Sequence, residues 1–179
     1  MFFHLLQLFF EYLYGMTGKT ALALLVHSLI FSVVYAQSSL YAPPHSTILN
    51  TAQGAKCLKQ CSRSTPNVDG FFRVSCHDSI LLVQNFKKIL KKKAQACCFV
   101  YTGVKSLDQY YYQYAGVVIK HKKYIYINAF VAGPYELSKF LKNWRKEPAI
   151  ICGGGTGFWG ILFDIADESF SQLAFNGAK

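Results

Sequence analysis

The second half of the chain alternates apolar and polar positions at strand spacing. Residues 112–120 are aromatic or β-branched at Tyr112, Tyr114, Val117, Val118 and Ile119. In residues 124–130 the run Tyr124-Ile125-Tyr126-Ile127 places tyrosines on one face of a strand and isoleucines on the other. His121-Lys122 reads as the turn between them. Residues 158–165 and 170–175 read as a second hairpin, closed across Ala166-Asp167-Glu168-Ser169. Between the hairpins, 135–145 is amphipathic at helical spacing, with Leu137, Phe140, Leu141 and Trp144 on one side and Pro148 as the stop. Residues 149–152 then read as a short strand, and 153–157 as a glycine loop.

The first half reads as helical. Ser46 or Thr47 is placed to cap a helix over 48–60, which Gly54 weakens by about 1 kcal/mol relative to alanine. Residues 62–70 form a loop, and 71–75 a short strand or the entry to the next helix. Asp78 or Ser79 caps a helix over 80–93. Its apolar stripe is Leu82, Val83, Phe86, Ile89 and Leu90, with Lys87, Lys88, Lys91 and Lys92 largely away from it. Residues 96–102 are a further strand candidate, and 106–111 a polar connection. Strands joined mainly by tight turns pair antiparallel. The expectation is an α+β fold, a sheet of about four to six strands with two or three helices on one face.

The N-terminus has a different pattern. Residues 16–36 carry Lys19, then a mostly apolar core over 21–34, then Val34-Tyr35-Ala36, the layout of a signal peptide cut before Gln37. The core is short of the about 20 apolar residues that span a bilayer. Residues 1–15 are apolar but broken by His4, Gln7 and Glu11. They read either as an upstream extension before a start at Met16 or as part of an uncleaved membrane anchor. The expected layout is a targeting region over 1–36, an irregular lead-in over 37–47 around Pro43-Pro44, and one domain over 48–179. The expected location is periplasmic or secreted, with membrane anchoring as the alternative.

Lys19 and Glu11 cancel, so the net charge of +10 falls entirely on residues 37–179. A surface that basic attracts anions, whether an envelope component or an acidic protein. Export argues against nucleic acid, and no RNA-binding signature is present.

The segments Gln60-Cys61-Ser62-Arg63, 123–130, Gly154-Gly155 with Phe158-Trp159-Gly160, and Phe175-Asn176-Gly177 resemble a family of small exported bacterial proteins. The resemblance covers most of residues 45–179. It implies export and carries no activity. In that family an acidic residue often precedes the paired glycines, where this chain has Gly153.

Six cysteines, Cys57, Cys61, Cys76, Cys97, Cys98 and Cys152, leave disulfide connectivity open. One or two bridges are expected, with Cys61 and Cys76 as candidates, and buried free thiols are the alternative. Cys152 ahead of the glycine loop is a candidate nucleophile of a small thiol-dependent hydrolase, with His77 or His121 as base. The competing reading is that Cys152 completes an apolar strand. Cys57, Cys61, Cys76 and His77 lack clean zinc spacing, so no metal or cofactor is expected. The glycine loop lacks the Gly-Lys-Ser/Thr ending of a phosphate cradle. Trp159, Tyr124, Tyr126 and Lys122 are candidate ligand contacts, with a core role the alternative for Trp159. The leading expectation is a non-enzymatic binding module with a basic surface.

Overall fold

The computed structural model describes residues 41–94, 103–139 and 141–177. The leader and its cleavage site, the strand expected over 96–102, and Phe140 lie outside them.

In chain order the elements begin with Ser46–Ile48 (β1), Thr51–Cys57 (α1), Gly70–Phe72 (β2) and Cys76–Asn85 (α2), the last continued by the 3-10 turn Phe86–Lys91. Tyr111–Ile119 (β3), Lys122–Phe130 (β4) and Pro134–Lys139 (α3) follow. A single 3-10 turn at Gly155–Gly157 then leads into Phe158–Asp164 (β5) and Ser169–Phe175 (β6). The strands make one sheet in the order β1-β3-β4-β5-β6. β2 shares the outer edge of β3 with β1: β1 runs parallel to it at Tyr112–Tyr114, and β2 antiparallel at Gly116–Val118. All other pairings are antiparallel. The fold is α+β.

Local chemistry explains most boundaries. The β3–β4 turn is Lys120-His121, one residue earlier than the sequence reading, with φ of 48° and 64°. Two successive left-handed residues give the turn whose twist matches its strands; histidine tolerates that region, whereas the lysine does not favour it. Asp69 Oδ2 accepts from Lys120 N at 2.6 Å and holds it. At the β5–β6 turn, Asp164 Oδ1 accepts from the amides of Ala166 and Asp167. On the edge strand β6 the register shifts opposite Gly160–Leu162, and Gln172 has φ of 55°. Such a bulge twists an edge away from stray pairing.

Both long helices start differently from the reading. Ser46 and Thr47 belong to β1, and Asn50 caps α1 through its side chain on Gln53 N. Ser75, not Asp78 or Ser79, caps α2. Asp78 closes a capping box by accepting from Ser75 N. Asn85 Nδ2 donates to Leu81 O and Glu168 Oε2, and the helix tightens into its 3-10 extension at Phe86. Residues 149–152 are not a strand: they run irregularly over the sheet.

The helices do not share one face. α2 and its extension contribute Leu82, Phe86 and Ile89 to the face carrying Tyr112, Tyr114, Ile125, Ile127, Trp159, Ile161 and Phe163. α1 contributes Cys57 to the opposite face, against Ala115, Val117, Tyr126 and Leu162. The physical reason lies in the strands: both the tyrosine and the isoleucine positions of β4 are apolar enough to need cover. Gly54 fits this placement, since a Cβ there would sit 3.1 Å from Ala115 Cβ. The residue that weakens α1 locally lets it approach the sheet. A third cluster, Phe130, Leu141, Trp144 and Ala149, caps one end of the sheet, where Tyr111 stacks on Phe130.

Candidate functional site

The α1 side of the sheet carries a polar cluster built on strand register. Gln113 of β3 stands opposite Asn128 of β4, which stands opposite Gly160 of β5. Two residues along β4, on the same face, is Tyr126. A Cβ on Gly160 would collide with the Tyr126 hydroxyl oxygen. Only glycine leaves room for that phenol, which is why Gly160 interrupts an otherwise apolar strand.

Arg63, in the loop after α1, reaches into this face. Its Nε donates to Tyr126 Oη at 3.1 Å, one Nη to Asn176 Oδ1 at 2.6 Å, and the other Nη to Asn128 Oδ1. Asn128 Nδ2 donates to Gln113 Oε1 and to Ala149 O. Gln113 donates to Trp144 O and Glu147 O, and its Oε1 accepts from Ala149 N. Asn176 Nδ2 donates to Ile151 O at 2.7 Å and Gly153 O at 2.8 Å. Gln113, Asn128 and Asn176 are buried, and every one of these amides is partnered. The irregular path of 149–153 follows: side-chain amides serve its backbone in place of a neighbouring strand.

Around Arg63 the acceptors are neutral, and among the described residues no carboxylate pairs with it. Its positive charge acts on its neighbours. Burial pushes the Cys57 thiol up to about 12, with the guanidinium pulling the other way. Burial likewise raises the Tyr126 phenol, and Arg63 opposes that shift.

Next to the cluster, Cys61 bonds to Cys152, bridging 91 residues. Cys57 is free and buried, and Cys76 is free and exposed. Both corrections to the expected thiol chemistry follow. Cys61 is bridged as expected, with Cys152 as its partner, whereas Cys76 is free, and Cys152 holds no free thiol to act as nucleophile. His77 lies exposed in the first turn of α2 and His121 exposed in the β3–β4 turn, on elements distinct from the glycine loop. Cys152 completes no strand either: it sits exposed beside Gly153–Gly155, whose φ values of 94°, 86° and 55° turn the chain back toward β5.

The candidate ligand contacts divide. Trp159 is fully buried between Tyr110 and Tyr112, a core residue. Tyr126 is buried under Arg63. Tyr124 is half-buried and Lys122 exposed. Among the described residues no group of three or more His, Cys, Asp or Glu is placed to hold a metal ion, and no helix is long and apolar enough to cross a membrane.

Sequence reasoning passed over Arg63, Gln113, Asn128 and Asn176 as site residues. A signal existed for three of them. Arg63, Asn128 and Asn176 each lie in a segment quoted above for the resemblance, and these separate segments converge on one cluster. Gln113 carried no such signal.

On the other side of the sheet, the end of the α2 extension borders an open hollow of about 330 Å3. Lys91, Lys92, Lys93 and Lys105 line it with Leu90, Gly103 and Val104, and among the described residues no carboxylate lines it. No protein-family model, curated protein or solved structure matches this chain.

Proposed function

We propose that this protein is a non-catalytic binding domain of the exported compartment, taking a polyanionic envelope component on its lysine-rich face. The observation that carries the reading is the hollow framed by Lys91, Lys92, Lys93 and Lys105, with no opposing carboxylate among the described residues. Such a surface gathers anions over roughly a Debye length, about 8–10 Å near physiological salt.

The test is binding of the protein to vesicles containing anionic lipid, with zwitterionic vesicles as reference, across a salt series. Expected is retention on anionic vesicles that fades with salt, with each lysine near the surface worth about 1 kcal/mol. Lys91→Glu with Lys92→Glu and Lys105→Glu abolishes it. Equal partitioning to both vesicle types, or binding unchanged by the triple substitution, overturns the reading.

A further inference from the structure

We infer that the Cys61–Cys152 disulfide is a thiol–disulfide exchange site, reduced and reoxidised by small thiols while the domain stays folded. Three features carry this. First, Cys61 and Cys152 are both exposed, so a thiol can approach the bond without unfolding the chain. Second, the two segments it joins are held together independently. Ser62 Oγ accepts from Gly153 N at 2.7 Å, Ser62 O accepts from Gly177 N at 2.8 Å, and Gln60 Nε2 donates to Ala149 O at 3.4 Å. Arg63 also grips Asn176, which holds the carbonyls on either side of Cys152. Third, Arg63 lies two residues from Cys61 in the chain and, among the described residues, pairs with no carboxylate, and a cation close by favours a cysteine thiolate.

The chemistry is an in-line exchange. A thiolate RS⁻ attacks the sulfur of Cys152, the S–S bond breaks, and its electron pair leaves on Cys61 as a thiolate two residues along the chain from Arg63. A second RS⁻ attacks the R sulfur of the mixed disulfide, releasing RSSR and the Cys152 thiolate. Two protons enter from solvent or buffer as the dithiol forms, and two electrons have passed from the external thiols to the protein. Loss of the covalent bond frees Cys152 and the adjacent glycines to move, while the hydrogen bonds keep the segment on the sheet.

The experiment treats the oxidised protein with reduced glutathione or 2-mercaptoethanol, without denaturant. Alkylation traps each time point, mass spectrometry reads Cys61 and Cys152, and near-ultraviolet circular dichroism reports packing. The expected result is reduction at a rate within about tenfold of an unstructured peptide disulfide, with the tertiary signal retained and reoxidation by oxidised glutathione. Arg63→Gln slows the exchange about threefold and Arg63→Lys restores it, as a modest change in leaving-thiol acidity predicts. If Arg63→Gln does not fold, the wild-type preference for anionic glutathione over neutral 2-mercaptoethanol, normalised to the peptide, reads the same charge. Resistance to both thiols until denaturant is added overturns the proposal, as does reduction that abolishes the tertiary signal. Equal rates for the Gln and Lys variants, or no thiol preference, overturn the role given to Arg63.

Discussion

The two faces of the central sheet are cross-linked by different physics. On one, Trp159, Tyr112, Phe86 and Tyr110 meet in edge-to-face and tilted contacts, with ring centroids 5.0–6.3 Å apart. On the other, Arg63, Gln113, Asn128 and Asn176 bind loops to strands through directed hydrogen bonds. The aromatic face draws its stability from area removed from water, which is non-directional. The polar face fixes which loop lies where, because a buried amide without its partner costs about 1–3 kcal/mol. One face supplies bulk stability, and the other specifies the arrangement of the segments 58–65 and 149–153.

Substitutions break this comparison in a ranked way. Trp159→Ala is expected to cost about 3–5 kcal/mol, read as a lowered urea midpoint, since it opens a large cavity at a fully buried site. Trp159→Phe costs less than half of that, because among the described residues Trp159 Nε1 has no hydrogen-bond partner to lose. A near-equal cost would mean that the indole nitrogen matters.

Asn128→Leu, which keeps the branching and removes the hydrogen bonds, is expected to cost about 2–3 kcal/mol and to loosen residues 149–153, seen as faster amide exchange there. Paired with Arg63→Ala in a double-mutant cycle, it is expected to be non-additive by more than about 0.5 kcal/mol. Additivity would dissolve the claim that these residues act as one unit.

Cys57 tests the α1 face from within its apolar part. Its thiol is buried and held up at about 12, so it stays neutral while the unfolded chain's thiol ionises. The unfolded state therefore sheds its proton first, and the stability from this group, complete below about pH 8.5, is lost as pH rises toward 12. Cys57→Ala is expected to show a shallower alkaline decline than the wild type. In the native protein near pH 8, alkylating reagents are expected to label Cys76 and spare Cys57. The smallest effect belongs to the turn outside both faces. Replacing Lys120-His121 by Asn-Gly relieves two left-handed residues and is expected to stabilise by about 1 kcal/mol in thermal unfolding.

What could be read from the chain alone was whatever repeats locally. The alternation in 112–130 and 158–175 placed β3 to β6 to within two residues, because a strand half-turned to a core must repeat every second position. The stripe through Leu82, Phe86 and Ile89 likewise marked the face that α2 and its extension bury. Tertiary structure decided the rest. β1 is three residues long and exists only because β3 lies beside it. Residues 149–152, apolar enough for a strand, found side-chain amides instead of a neighbouring strand. The Cys61–Cys152 bond and the Arg63 cluster join positions tens of residues apart, and no local periodicity records such a meeting. Periodicity reports which face a residue presents, whereas which distant residue it meets there depends on how the whole sheet is assembled.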